Sequence, residues 1–262
     1  MRKKTIYLKA LHLFALLLAG GFWAMPDDAR ALSVKANHDN IKVGFFYHGS
    51  TVKVSGAAGA GSGVVIKITA LDGHQVLRKK GKAAGVLWMN TGSLSFERVP
   101  DLYFIRSTAK PESILTPQEL EANVIGYGAL GRHMEIKPCA DEQEKARWFS
   151  ELVKYKENTR LFSPSGGITV ADPSGKREFS TEINWPYQAP SGEYTVTAYE
   201  VRDGKVIARS QAKITVEHVG AVKLFADMAK KNAALYGLIS LVVAVGAGFG
   251  VGMIFGKGGG AH

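Results

Sequence analysis

The sequence predicts a mainly β protein with a helical connector, two small β-sandwich regions of immunoglobulin-like character, and one C-terminal transmembrane helix. Three observations carry that expectation. Apolar and polar residues alternate with period two in short runs between residues 41 and 105, and again between 194 and 216. Ala233 to Phe255 is a run of 23 residues without a charge. A basic cluster followed by a short apolar stretch opens the chain, the pattern of an export signal.

Residues 1–31 are read as a signal peptide. Arg2, Lys3 and Lys4 are its positive start and Leu11 to Ala19 its apolar core. Ala29-Arg30-Ala31 is its small-x-small cleavage pattern, with the cut before Leu32. The full chain of 262 residues has a formal charge of +10, and five basic and two acidic residues of that total lie in the signal. The exported chain therefore carries about +7. Hydrophobic residues at 46% and charged residues at 21% exclude global disorder. The single cysteine, Cys139, excludes an intramolecular disulfide framework.

Residues 32–110 form the first β region. Ile41, Val43 and Phe45 alternate with Lys42 and Gly44, and Val52 and Val54 flank Lys53. Val64 to Leu71 is a β-branched run that ends in Asp72-Gly73, a hairpin-turn signal. Val86-Leu87-Trp88-Met89 is a further short strand that meets a turn at Asn90-Thr91-Gly92, and Leu102 to Ile105 closes the set. Residues 111–158 are the helical connector. Thr116-Pro117-Gln118-Glu119 has a capping residue, a proline at the first helical position and an acid in the first turn. Asp141 caps a second helix, in which Trp148, Leu152 and Tyr155 share a face with Phe149 and Val153 beside it.

Residues 159–218 return to strands. Val206, Ala208, Ser210, Ala212, Ile214 and Val216 form one period-two face, opposite Arg209, Gln211, Lys213 and Glu217. That is a strand with one wet side. In Pro190-Ser191-Gly192-Glu193-Tyr194, the tyrosine sits where a tyrosine corner of an immunoglobulin-like sandwich would. Residues 219–232 are a juxtamembrane helix, 233–255 the membrane span and 256–262 a short cytoplasmic tail. At about 1.5 Å per residue the span covers about 34 Å, against about 30 Å of hydrocarbon. The export signal places the bulk of the chain in the periplasm and the C-terminus in the cytoplasm, in a single pass through the inner membrane. Lys223, Lys230 and Lys231 outside against Lys257 inside run counter to the positive-inside rule. The signal decides the orientation, since long domains are translocated whatever their charge.

No constellation has catalytic spacing, so no catalytic, metal-binding or cofactor-binding residue is assigned and an enzyme is not expected. Gly56 to Gly63 is glycine-rich, but Gly63 leads into Val64-Val65-Ile66, a strand, where a phosphate loop needs Lys and then Ser or Thr opening a helix. It is read as a flexible inter-strand loop. His133, Glu135 and Cys139 lack the second cysteine and the spacing of zinc deaminases. Arg78-Lys79-Lys80 and Lys82 are read as a solvated hairpin tip, and nucleic acid is not an expected partner. The best-defined physical motif lies in the membrane span. Gly248, Gly252 and Gly256 recur every fourth residue, and Gly246 and Gly250 form a second row. Such rows let another helix approach closely.

Val86-Leu87-Trp88-Met89-Asn90-Thr91, Pro190-Ser191-Gly192-Glu193-Tyr194-Thr195-Val196 with Asp203-Gly204, and Leu235-Tyr236-Gly237-Leu238 together resemble a family of bacterial transmembrane proteins of about this length, best known from alphaproteobacteria. The resemblance carries no enzymatic activity and no functional residues. It implies an accessory role beside sulfite-type anion permeases, near which such proteins are encoded. The expected function is a non-enzymatic, membrane-anchored scaffold or accessory protein of a membrane partner, reached through the transmembrane helix or the β regions. The alternative is a small-anion-binding module, which the charge of about +7 would serve. Such a module should bring Arg, Lys and backbone amides together in one pocket. A scaffold should present an apolar or glycine-lined surface.

Overall fold

The computed structural model describes residues 32–83 and 85–255. The signal peptide read at 1–31 and the tail at 256–262, with Gly256, lie outside them. The strands in chain order are β1 (Ser33–Ala36), β2 (Asn40–Val43), β3 (Ser50–Gly59), β4 (Gly63–Ala70), β5 (Asp72–Ala83), β6 (Leu87–Pro100) and β7 (Tyr103–Ser107). Four helices and two strands follow: α1 (Pro111–Ile114), α2 (Pro117–Ala122), α3 (Tyr127–His133), β8 (Glu135–Lys137), α4 (Glu142–Asn158) and β9 (Phe162–Ser163). The chain then forms β10 (Thr169–Ala171), β11 (Lys176–Trp185), β12 (Gly192–Arg202) and β13 (Lys205–His218), and ends in α5 (Gly220–Lys231) and α6 (Ala233–Phe255).

The mainly β expectation holds, but the early and late β regions do not stand apart. One sheet has the order β1-β3-β11-β10 and a second the order β2-β13-β12-β4-β7-β9. β3 pairs with β11 from Ser50↔Trp185 to Gly59↔Lys176, and β4 pairs with β12 from Gly63↔Val201 to Ala70↔Tyr194. Either region alone would leave its central strands as open edges, with unpaired N–H and C=O groups beside an uncovered apolar face. Pooling the strands removes both costs. Val52, Val54, Phe179, Ile183 and Trp185 of the first sheet and Ile66, Ile68, Val196, Ala198 and Ile214 of the second belong to one buried core. The Trp185 and Tyr194 rings meet edge to face across it, centroids 4.9 Å apart.

The glycine-rich stretch is not a flexible loop. Gly56 and Gly59 lie inside β3, and only Ala60 to Ser62 turns the chain. A Cβ on Gly56 would sit 1.9 Å from the Ser33 carbonyl oxygen and 2.5 Å from Cζ of Phe179, so this strand needs the missing side chain.

Asp72-Gly73 does not turn the chain either. It opens β5, with Asp72 opposite Pro100, and the chain passes from β4 into a long ribbon through Leu71. Asn90-Thr91-Gly92 also lies within a strand. Lys79 faces Gly92 and Lys80 faces Asn90, so Thr91 is the extra residue of a bulge in β6.

Two of the connector's four helices, α2 and α4, start where expected, while α1 and α3 are additional to the two read from the sequence. The Thr116 hydroxyl accepts from the Glu119 N–H at 3.4 Å, and the Asp141 carboxylate accepts from the Glu144 N–H at 2.7 Å. It also contains β8, which the helical reading missed. In α4 the buried positions are Leu152 and Lys156, while Tyr155 points to solvent. The connector covers the outer face of the second sheet: Tyr103 of β7 donates to the Val124 carbonyl at 2.9 Å and accepts from the Gly126 N–H at 2.8 Å. Thr197 and Tyr199 of β12 are consequently buried as well. β13 keeps its period-two pattern, with Ile214 and Val216 buried and Arg209, Gln211 and Lys213 exposed.

Two lysines lie under this cover. Lys67 donates to the Asn123 carbonyl at 2.5 Å, and burial pushes its ammonium down from 10.5 to about 8, with Asp72 opposing. Lys156 is 1% exposed with Nζ 3.9 Å from Asp101, and burial lowers it too. Between pH 8 and 10 the unfolded chain therefore holds lysine protons that the folded chain has released, so stability rises with pH across that window. Burial pushes the Tyr103 and Tyr194 hydroxyls up, which reverses the sign above about pH 10, where unfolded tyrosines ionise. Urea midpoints of the detergent-solubilised protein should increase from pH 8 to pH 10 and then fall. Lys67→Met should flatten much of the increase. An equal increase in wild type and variant would remove Lys67 as its source.

Candidate functional site: the β5–β6 ribbon and the membrane helix

β5 and β6 form an antiparallel ribbon whose two halves differ. In the root half Leu94, Phe96 and Val99 are buried, and β8 pairs alongside from Ser95↔Lys137 to Glu97↔Glu135. Lys79 ties the ribbon to α4, with Nζ 3.4 Å from Glu144 and 4.6 Å from the centre of the Trp148 ring. The Glu144 carboxylate is held down to about 2, chiefly by the Ala140 N–H, with the Trp148 indole and Lys79 adding to it.

The outer half projects beyond that support. Val86 is 84% and Trp88 66% exposed, and Leu87 and Met89 are exposed beside them. On the opposing strand Lys80 faces Asn90 and Lys82 faces Trp88, with Arg78 nearer the root opposite Ser93, and no acidic residue occurs from Gly73 to Phe96. Lys82 Nζ lies 5.5 Å from the centre of the Trp88 ring. The basic run is thus part of a mixed apolar and cationic surface. Four consecutive large apolar residues at the end of a two-stranded ribbon gain nothing from the protein's own core, and such exposure marks an interaction surface. The clue in the sequence was the acid-free stretch around Val86-Leu87-Trp88-Met89. Reading Asp72-Gly73 and Asn90-Thr91-Gly92 as turns cut that stretch into pieces.

Other candidates resolve into local pairs. His133 Nε2 lies 2.6 Å from Asp72 Oδ2, Glu135 pairs with Arg98 at 3.0 Å and Lys137 at 2.8 Å, and burial raises the Cys139 thiol. Among the described residues no group of three or more His, Cys, Asp or Glu side chains is placed to hold a metal. At one end of the sandwich, buried Glu200 accepts from the Ser62 hydroxyl at 2.6 Å and the Gly59 N–H at 3.1 Å. Arg202 lies 3.6 Å from Glu200, and Arg177 forks onto Asp172 at 2.8 and 2.9 Å. Both arginines are therefore neutralised locally. A groove of about 540 Å³ beside β1, β3, β10 and β11 has Lys35 and Lys53 as its cations, with Glu178 in the same wall.

α6 covers all 23 positions expected of the span, and Ala233–Met253 is long and apolar enough to cross a membrane. Gly246, Gly248, Gly250 and Gly252 lie on it, and a Cβ at any of the four would meet nothing within 4 Å. Residues 31–257 match the family described as Putative transmembrane protein (Alph_Pro_TM). The chain belongs to that family. A search among curated proteins finds no match. The family match takes in the whole sandwich, the ribbon and α6.

Proposed function

We propose that this family member is a non-enzymatic scaffold or accessory protein of another membrane protein. α6 holds it in the inner membrane with its β structure in the periplasm and its C-terminus in the cytoplasm. The observation that carries the reading is the ribbon tip, where Val86, Leu87, Trp88 and Met89 are exposed among cations. Its complement is a partner surface that is apolar with acidic residues around it. The ribbon leaves β4 beyond Ala70, which faces Tyr194, and Gly192 at the same end of β12 faces Val216, just before the chain enters α5. Its root thus lies at the end of the sandwich joined to the membrane, which favours a partner within the bilayer. The family resemblance points to a sulfite-type anion exporter. The pairing of Arg177 with Asp172 and of Arg202 with Glu200 counts against the alternative, a small-anion-binding module.

The strand order supports an immunoglobulin-like reading of the sandwich. β1-β3-β11-β10 follows the order A-B-E-D, and β13-β12-β4 follows G-F-C. Tyr194 donates to the Pro190 carbonyl at 2.6 Å, the hydrogen bond of a tyrosine corner. The ribbon and the connector are then insertions beside strand C.

The test is crosslinking in native membranes, followed by identification of the captured protein. Buried aromatic anchors contribute about 2 kcal/mol or more, so replacing Leu87, Trp88 and Met89 with Ser should cut crosslinking about thirtyfold. Gly252→Leu should preserve insertion and weaken crosslinking about fivefold if the glycine rows also pack against the partner. Wild-type crosslinking in the ribbon variant and in Gly252→Leu alike would overturn the scaffold reading.

A further inference from the structure

β2 and β13 run parallel, with Val43 beside His218, so both strands end at the same end of the sandwich. The Val219 N–H donates to the Val43 carbonyl at 3.0 Å, α5 starts at Gly220, and a single residue, Asn232, separates α5 from α6. This end is therefore connected to the membrane span through α5 alone. Phe45, read from the sequence as part of a strand, instead lies past the end of β2 in a tight turn closed by the Tyr47 N–H on the Gly44 carbonyl at 3.1 Å. Phe45 is 74% and Phe46 81% exposed, and their rings pack edge to face on each other at 5.1 Å.

The neighbouring loops of this end repeat the pattern. Leu71, following β4, and Tyr187, between β11 and β12, are also exposed. The loops of the opposite end, 60–62, 172–175 and 203–204, carry no exposed large apolar residue among the described residues.

α5 matches this end chemically. Ala221, Leu224, Phe225 and Met228 follow the i, i+3, i+4, i+7 spacing of one helix face, and Leu224 and Phe225 are exposed. Lys223, Asp227 and Lys230 fall on the other face, and they line a groove shared with Ser191, Glu217 and His218 of the sandwich. The polar side of α5 is thus turned toward the sandwich and its apolar side away.

We infer that the Phe45–Phe46 turn and the apolar face of α5 form one foot that lies in the interface of the bilayer crossed by α6, with the aromatic and aliphatic side chains at the level between headgroups and acyl chains. The occupant is lipid, because the patch continues directly into the membrane span. Apolar side chains flanked by Lys223, Lys230 and Lys231 are also the composition of an interfacial helix. The foot fixes the height and tilt of the sandwich above the membrane, which a flexible tether would leave free. This inference is independent of the partner reading.

Full-length protein carrying Cys139→Ser and a single new cysteine, at Phe46, Leu224 or Lys205, can be placed in vesicles of phosphatidylethanolamine and phosphatidylglycerol. A membrane-impermeant maleimide then measures access. Lys205 is exposed at the opposite end of the sandwich and reports the outward-facing fraction and the fold. Phe46→Cys and Leu224→Cys should react at least tenfold more slowly than Lys205→Cys in vesicles, at every protein-to-lipid ratio, and regain most of that rate in detergent. Equal rates at all three positions would overturn the foot. So would protection that disappears as the protein is diluted in lipid, since that would assign the surface to a second copy.

Discussion

A chain ended after Lys231 is expected to lose its firm hold on the membrane. The deleted helix carries 11 Leu, Ile, Val and Phe residues between Leu235 and Phe255 and no charge. At about 0.3–0.6 kcal/mol each, these contribute about 3–7 kcal/mol to insertion, a factor of about a hundred to a hundred thousand in partitioning. After alkaline carbonate extraction the full-length protein should stay in the pellet and the shortened one should appear in the supernatant. The foot would leave the shortened protein with a weaker attachment that salt and alkali remove, since interfacial helices of modest size bind reversibly. Retention of the shortened chain in the carbonate pellet would place the anchor elsewhere.

Gly56→Val is expected to destabilise the sandwich by about 3 kcal/mol or more, at the upper end of what overpacking costs. β3 lies between β1 and β11, so the 1.9 Å approach to the Ser33 carbonyl is a clash with backbone that is itself held in a ladder. A loss of this size is a large share of the roughly 5–15 kcal/mol that holds a domain together. Gly61 is the matched comparison. It has φ of +72° with open space around it, and Asn tolerates that backbone, so Gly61→Asn should cost under about 1 kcal/mol. Urea unfolding followed by tryptophan fluorescence separates the two. Equal stability of both variants would mean that Gly56 does not sit in a packed strand.

Local chemistry was legible in the sequence wherever one short segment holds the whole cause. Thr116 and Asp141 cap their helices because a hydroxyl or carboxylate needs only the N–H three residues on. The hydrogen bond of Tyr194 to Pro190 is equally local. The candidate site was not legible as a site: Arg78 to Lys82 reads as a solvated hairpin tip and Val86 to Met89 as a short strand, because Asp72-Gly73 and Asn90-Thr91-Gly92 look the same as turn signals whether the chain turns there or passes through a bulge. Lys156 shows the limit on a helix. Its place on the buried face depends on Asp101 and Phe162, which other parts of the chain bring to it.

By itself, the sequence determined the bounds of the apolar helix α6, the mainly β character of the chain before it and the capped starts of α2 and α4. Charge, hydropathy and capping act within one segment, so one segment suffices to read them. Only the tertiary structure decided that the two β regions share their sheets, that glycines run through β3, and that the apolar residues of β6 stay uncovered at the end of a ribbon. A strand's hydrogen-bonding edges are the same whatever its side chains. Which strand pairs with which is therefore settled by the closure of the whole core, and what the closed core cannot cover is left at the surface.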